Sequence, residues 1–349
     1  MILVRSGRPY FMSVIARDLR RNRRYAPEMT TGGVALAYDE LEAHRRELTG
    51  YCYRMLGSAS EAEDAVQEAL LRAWRAADGF EGRSSVRSWL YRIATNVCLD
   101  MQTSSQRRAR PMELGPPSPP REEFLGPWIE ESRWVTPIGD DRVLPETSDP
   151  AELAAARDSV RLAFVAALQH LPARQRAVLV LCEVLKWQAA EAAELLGTSV
   201  AAVNSALQRA RATLEQVAPI ERFDDTVDLA LLEDYVDAFQ RYDINRLVTL
   251  LHEDAVMSMP PFAMWVRGAG DIGQFMLEPG PSACAGSILI PLSANGCPAF
   301  GQYKPDPAGG HTPWGLQVLE VRDGRISGFH CFLDSATLFP LFGLPLHLD

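Results

Sequence analysis

No stretch of this chain holds the roughly 18 consecutive apolar residues that a membrane-crossing helix requires. The arginine-rich first residues contain no apolar core of the kind a secretory signal carries. The chain is therefore expected to act in the cytoplasm, with no membrane partner. Cysteine is sparse, with six residues at positions 52, 98, 182, 284, 297 and 331 and no Cys-x-x-Cys pair. That removes the usual zinc spacing and offers no disulfide framework, in keeping with a reducing compartment. No internal repeat is evident. Hydrophobic residues make up 47% of the 349, ample for packed cores, and the length suggests two or three domains.

Basic charge is also short, since the net charge is −10. The deficit is local. Residues 221–349 carry 17 acidic and 7 basic side chains, and residues 1–220 hold 28 of each. Within that neutral part, Arg72 to Arg110 contains eight arginines against Asp78, Glu81 and Asp100. A basic patch for phosphates can therefore exist inside an acidic protein.

The pattern that is present most clearly lies between Leu171 and Leu214. Val178, Leu179, Leu181, Val184 and Leu185 recur at helical spacing up to Trp187. A second helix, Gln188 to Leu196, keeps Ala189, Ala192, Ala193 and Leu196 on one side, and Gly197 breaks it. Thr198 or Ser199 can cap a third helix with Val200, Val203, Leu207, Ala210 and Leu214 facing inward. Its outer face carries Ala201, Asn204, Ser205, Gln208 and Arg209, with Arg211 at the flank. Small residues let such a helix approach a groove, and Asn, Gln and Arg can pair with base edges or phosphates. The spacing predicts a DNA-binding helix-turn-helix; the plainer alternative is a three-helix hairpin with a polar face.

Around it the chain divides. Residues 1–36 read as a basic disordered arm, with Met29 an alternative start. Helices are expected from Asp39 to Ala77, with a capping box at Ser60 and Glu63, and from Val86 to about Gln106, with a Phe80–Ser85 loop between. The nine prolines of Pro111–Pro150 predict an extended, largely uncompacted linker, with local docking open to Trp128, Ile129, Trp134 and Val135. From Asp225 the texture becomes helices Leu229–Tyr242 and Asn245–Leu251, then strands at Ser287–Ser293, Pro298–Tyr303, Gly315–Arg322 and Arg325–Leu333. The Asp323–Gly324 turn is a strong hairpin signal. The expected fold class is multidomain, two all-α units followed by an α+β domain.

Ala62–Glu63–Asp64–Ala65–Val66–Gln67–Glu68, Phe80–Glu81–Gly82, Trp89–Leu90–Tyr91–Arg92–Ile93–Ala94 and Asn96–Val97–Cys98–Leu99–Asp100 resemble region 2 of an extracytoplasmic-function sigma factor. The helix-turn-helix, entered through Leu171–Pro172–Ala173–Arg174–Gln175–Arg176, resembles its region 4. Leu232 to Pro345, marked by Met259–Pro260–Pro261–Phe262 and Phe332–Leu333–Asp334, resembles a SnoaL-like, nuclear-transport-factor-type cone barrel. The order of the three is that of the actinobacterial sigma-G-like group. The domains expected are thus region 2 at 37–110, the linker at 111–150, region 4 at 151–218 and the SnoaL-like domain at 225–346.

The resemblance implies a promoter-recognition subunit with core RNA polymerase and promoter DNA as partners. Asp64, Gln67, Glu68, Leu71 and Arg72 would grip the beta-prime clamp helices. Phe80, Glu81, Arg83, Ser84, Arg87, Trp89, Arg92 and Asn96 would melt and hold the minus-ten element. Aromatic and guanidinium planes stack unpaired bases at about 1–3 kcal/mol each. For Trp74, Trp89 and Tyr91 the alternative is a core role. Ser199, Asn204, Ser205, Gln208, Arg209 and Arg211 would read the minus-thirty-five element beside the beta flap, with few base-reading side chains beside Ala201, Ala202 and Ala206. An anti-sigma partner is neither implied nor excluded.

For the third domain the expected role is regulatory, its negative charge docking on the basic patch. The rival readings are a stand-alone helix-turn-helix regulator and a cyclase or isomerase. The latter would need an acid/base pair from Asp334, His330, Asp254 or Glu253, walled by Trp265 and Tyr303. No paired constellation has convincing spacing, so no catalytic residue, metal or cofactor is expected.

Overall fold

The computed structural model describes residues 38–82, 84–102, 107–217, 223–224, 227–282 and 284–349. The expected basic arm, Met29, Arg83 and the end of the helix projected to Gln106 lie outside them. Short helix α1 (Tyr38–Glu42) leads into α2 (Arg45–Leu56), which Gly57 ends in the left-handed conformation at φ +72°. Helix α3 (Ala59–Ala76) is capped by Ser58, whose hydroxyl accepts from the Glu61 N–H at 3.3 Å. The box expected from Ser60 and Glu63 therefore does not form. Ser58 has the extended backbone a cap needs, whereas Ser60 is already helical and its hydroxyl meets Ser58 at 3.0 Å. Helix α4 (Val86–Met101) is capped by Ser85 in the same way. Ala62, Ala65, Val66, Ala69 and Leu70 of α3 pack on Tyr51, Met55, Leu90 and Tyr91.

After the proline-rich segment come α5 (Pro150–Asp158), α6 (Leu162–Leu168), α7 (Ala173–Leu179), α8 (Ala189–Leu195) and α9 (Val200–Val217). The chain leaves α7 through a π-helical turn at Val180–Val184. Gly197 turns at φ +61° between α8 and α9, and Ser199, not Thr198, caps α9 by accepting from Ala202 N–H at 3.2 Å. Val203 and Ala210 are buried as expected, but Val200 is 43% exposed because it occupies the first turn, beyond the reach of α8.

The C-terminal domain sets helices α10 (Leu229–Gln240), α11 (Ile244–Leu250) and α12 (Ala269–Met276) against a mixed six-stranded sheet. Its strands are β1 (Leu251–Ser258), β2 (Trp265–Arg267), β3 (Ile288–Ala294), β4 (Cys297–Pro305), β5 (His311–Arg322) and β6 (Arg325–Phe332), in the order β2-β1-β6-β5-β4-β3. Only β1 and β6 pair in parallel. The predicted Asp323–Gly324 hairpin forms, with φ of +53° and +68°. Side chains alternate across the sheet. One face, with Met257, Phe300 and Phe329, closes on Tyr235, Phe239 and Phe275 of the helices. The other, with Ala299, Leu316, Val318 and Phe332, joins the core of the N-terminal helices, as does Leu338 of the final helix α13 (Ser335–Leu341).

The linker is not uncompacted. Trp134, Val135 and Ile138 are buried to 2% exposure or less. Thr136 N–H donates to Gly57 O at 3.0 Å, and its hydroxyl accepts from Ala59 N–H. On the other side Ser118 N–H donates to Trp265 O at 2.8 Å, and Ile129 N–H to Pro261 O at 3.1 Å. Proline density forbids regular helix or strand, but the intervening N–H groups remain free to bind neighbouring segments.

The hairpin between β3 and β4 holds these units together. Its tip, Asn295–Gly296, has φ of +56° and +70°, and Asn295 is fully buried. Asn295 Nδ2 donates to Tyr53 Oη at 2.7 Å and to Val160 O at 2.6 Å, while its Oδ1 accepts from Ile138 N–H at 3.0 Å. Gly296 N–H donates to Asp140 Oδ1 at 2.8 Å, and a Cβ there would meet Arg157. Docking by opposite charge, as expected from the sequence, is thus a minor part of the contact. Apolar area and neutral hydrogen bonds make most of it. Charge enters at Glu320: burial alone would raise its carboxyl, but His330, Arg110 and Arg161 hold it below the usual range.

Candidate polymerase and promoter interfaces

Helix α3 buries its alanine-rich stripe and turns another outward. Asp64, Gln67 and Arg72 are exposed and Glu68 and Leu71 half-buried, at the spacing that places them on one face. Arg72 Nε donates to Glu68 at 2.7 Å and its guanidinium lies 3.5 Å from Asp100. Trp74 is 47% exposed on the same helix, so it is not a core residue.

The loop after α3 and the start of α4 gather the residues expected at the minus-ten element. Phe80 and Trp89 stack at 4.9 Å, both half-buried, while Tyr91 is fully buried, its hydroxyl pointing at Glu47. Glu81 and Asn96 are exposed and Ser84 half-buried. Arg87 and Arg92, also expected at the minus-ten element, have protein partners here. Arg87 donates to Glu47 at 2.7 Å and lies 5.1 Å from the Tyr91 ring and 5.3 Å from the Trp187 ring. Arg92 approaches Glu194 of α8 at 3.9 Å. Tyr91 and Trp187 meet at 5.1 Å, so α4 and the helix-turn-helix cover one another. Among the described residues, Arg92 Nε and Trp187 Nε1 find no acceptor in that junction.

Arg176 ties the two units from beneath. It is buried, and donates to Leu168 O at 2.8 Å, Leu171 O at 3.1 Å, Gln169 Oε1 at 2.6 Å and Met55 O of α2. Burial without a carboxylate partner pulls its guanidinium down to about 10. The sequence places Arg176 only at the entry to the helix-turn-helix; its chain-spanning role has no local signal.

On α9, Ser199, Asn204, Ser205, Gln208, Arg209 and Arg211 are all exposed on the outer side. Arg209 donates to Ser205 Oγ at 2.6 Å, one turn back. Arg211 is held by Glu183 in the π-helical turn that follows α7. The face therefore offers Asn204 and Gln208 as ready donors and acceptors, and two arginines whose present partners are exposed.

The residues weighed for acid/base chemistry do not converge. Glu253 and Asp254 are exposed at the start of β1, Asp254 3.3 Å from Arg267. Trp265 Nε1 donates to Gly115 O and Tyr303 Oη to Pro345 O. Asp334 caps α13 through Thr337 N–H. His330 lies on the sheet face turned toward the N-terminal helices, 2.8 Å from Ser258 Oγ and 3.3 Å from Glu320, all three buried.

Family models match in the same order: Sigma-70 region 2 over residues 41–108, Sigma-70 region 4 over 161–214 and the Nuclear transport factor 2 domain over 227–291. The chain is 47% identical over 313 residues to the ECF RNA polymerase sigma factor SigG of Mycobacterium tuberculosis, covering 87% of this chain and 82% of that one. It belongs to the extracytoplasmic-function sigma factors of RNA polymerase. SigJ of the same organism is 31% identical over 245 residues, 68% of this chain and 71% of its own length. The crystal structure of SigJ superposes with a TM-score of 0.54 at 25% identity, covering 89% of this chain and all of that one. Sigma factors bind core RNA polymerase and promoter DNA and direct initiation; they are not enzymes. Among the described residues, no helix of this sigma factor is long and apolar enough to cross a membrane.

Proposed function

We propose that this sigma factor acts in the cytoplasm and that the arrangement described is its resting form, from which region 2 and region 4 must separate to work. The observation that carries this is the 5.1 Å contact between Tyr91 and Trp187. Elements centred near positions minus ten and minus thirty-five lie about 25 base pairs apart, a run of roughly 85 Å on B-form DNA at about 34 Å per helical turn. One conformation cannot pack the two regions together and span that run. The junction is also imperfectly satisfied: Trp187 Nε1, buried there with no acceptor among the described residues, costs about 1–3 kcal/mol, which separation relieves.

In the open form the α3 face of Asp64, Gln67, Glu68, Leu71 and Arg72 grips the beta-prime clamp helices. Phe80, Glu81, Arg83, Ser84, Arg87, Trp89, Arg92 and Asn96 then take the minus-ten strand. Ser199, Asn204, Ser205, Gln208, Arg209 and Arg211 read the minus-thirty-five duplex next to the beta flap. The C-terminal domain regulates by holding the closed form through Asn295–Gly296. Donor and acceptor dyes on exposed sites of α3 and α9 test this: core polymerase with promoter DNA is expected to lower energy transfer sharply. Unchanged transfer in an actively transcribing complex overturns the closed-to-open reading, and no added start sites in run-off transcription overturns the site assignments.

A further inference from the structure

A cavity of about 290 Å³ opens between the linker and the mouth of the C-terminal domain. Its walls are Trp128 and Trp134 from the linker and Pro260, Pro261 and Phe332 from the domain. Two carboxyl groups, Glu131 and Asp334, lie next to each other on its lining, close enough to share a hydrogen bond. The walls are preformed. Ile129 N–H binds Pro261 O at 3.1 Å, Leu333 N–H binds Pro260 O at 2.9 Å, and Trp134 Nε1 donates to Ile129 O at 3.3 Å. Trp128 is held edge-on by Phe262, with centroids 5.8 Å apart, yet remains 60% exposed.

We propose that this crevice is a binding site for a small organic monocation, an alkyl- or arylalkylammonium with an apolar body. The exposed Trp128 ring supplies the quadrupole that attracts an onium group, and the carboxyl pair supplies the countercharge. Burial raises the Glu131 carboxyl, and the charge of Asp334 and a hydrogen bond shared with it raise it further, although Arg108 and Ser60 draw it the other way; the pair thus presents about one negative charge, a match for a monocation. A bound cation relieves that repulsion. A divalent metal ion is a poor occupant, because two carboxylates fall short of the six or more oxygens such an ion prefers and the walls are carbon. The cavity has room for a compact organic cation rather than a single water. Because the two walls come from different units, an occupied crevice clamps the linker to the domain. That a ligand would thereby bias transcription rests on the closed-form reading above; binding itself does not.

Calorimetry on the full chain with benzyltrimethylammonium and choline tests the site, with 3,3-dimethylbutan-1-ol as the uncharged isostere of choline. Saturable binding of the cations in the range of about 0.1–5 mM is expected, with the alcohol at least about tenfold weaker. Glu131→Gln and Asp334→Asn are each expected to weaken the cations by about tenfold; Asn at 334 can still accept the Thr337 N–H that caps α13. Trp128→Ala is expected to weaken them by about threefold to thirtyfold. Glu123→Gln, a surface carboxylate paired with Arg121, leaves binding unchanged. The site is overturned by equal affinity for the alcohol, by unaltered affinity in all three crevice variants, or by no saturable heat from either cation up to about 50 mM. Such results leave the energy-transfer test of opening untouched, so the two readings fail separately.

Discussion

Arg87 of region 2 lies over the ring of Trp187, at the entry to the region 4 recognition unit, 5.3 Å from its centroid. The guanidinium assigned in our proposal to the minus-ten strand is thus occupied by region 4. Trp187→Ala is expected to favour the open form, with lower energy transfer between α3 and α9 off polymerase. Arg87→Ala removes the same contact but also a DNA ligand, so run-off transcription falls by about tenfold. Loss of activity of equal size in both variants argues against the division of roles.

Removing the Asn295 side chain leaves Ile138 N–H and Val160 O without partners in a buried junction. Asn295→Ala is expected to lower stability by roughly 2–4 kcal/mol, from unpaired polar groups and a left-handed backbone that alanine resists. Asn295→Gly relieves only the backbone part, so its thermal midpoint should fall between the two. Equal midpoints for the Ala and Gly variants would place the whole effect in the side chain.

Asp140 gives the junction a pH dependence. Burial raises its carboxyl to about 6, against the pull of Gly296 N–H, Arg157 and Arg161, while Asp141 adds to the rise. A carboxyl raised on folding contributes stability that is complete below its unfolded value near 4 and fades as pH climbs through about 6. Between pH 5 and 7 the chain is therefore expected to lose stability from this group, and Asp140→Asn to flatten that slope in thermal melts. A variant slope matching the parent assigns the dependence elsewhere.

Arg211 is held by Glu183 on an exposed face. Such a pair is worth little in water, about 0–1 kcal/mol. Glu183→Gln should release the arginine to a phosphate, steepening the salt dependence of holoenzyme binding to minus-thirty-five DNA by about 0.9 in log–log slope. An unchanged slope means Arg211 does not reach the backbone.

Leu71 shares a half-exposed face with Asp64 and Gln67 and contributes little to the core. Leu71→Asp is expected to weaken core polymerase binding by at least about tenfold with an unaltered melting midpoint, measured by competition for core enzyme. Retained affinity would move the polymerase contact off this face.

Much of this was legible in the residue pattern, and the exceptions are instructive. Gly197, the Val203–Ala210 stripe and the Asp323–Gly324 turn follow from local rules, and the structure shows each of them. Asn295–Gly296 carries the same hairpin signature as Asp323–Gly324, yet only its tertiary destination makes it important. Strand β1 escaped because His252, Glu253 and Asp254 interrupt the expected alternation where the strand is still exposed. Val200 was placed by helical periodicity, which fixes a face but not what covers it; Arg87 and Arg92 came from the family resemblance, which names a role but not the protein partners each holds here. The linker misled for a related reason: proline content speaks to backbone hydrogen bonding within a segment, not to whether its tryptophans find a neighbour.

The position of the Asn295–Gly296 tip late in the chain sets an order of events during synthesis. Region 2, the linker and region 4 are complete at Val217, about 80 residues before the tip is made. At about 5–20 residues per second, the tip follows the end of region 4 by roughly 4–16 seconds. The contact through Asn295–Gly296 is therefore the last restraint to be laid down, on regions already able to close through Tyr91 and Trp187.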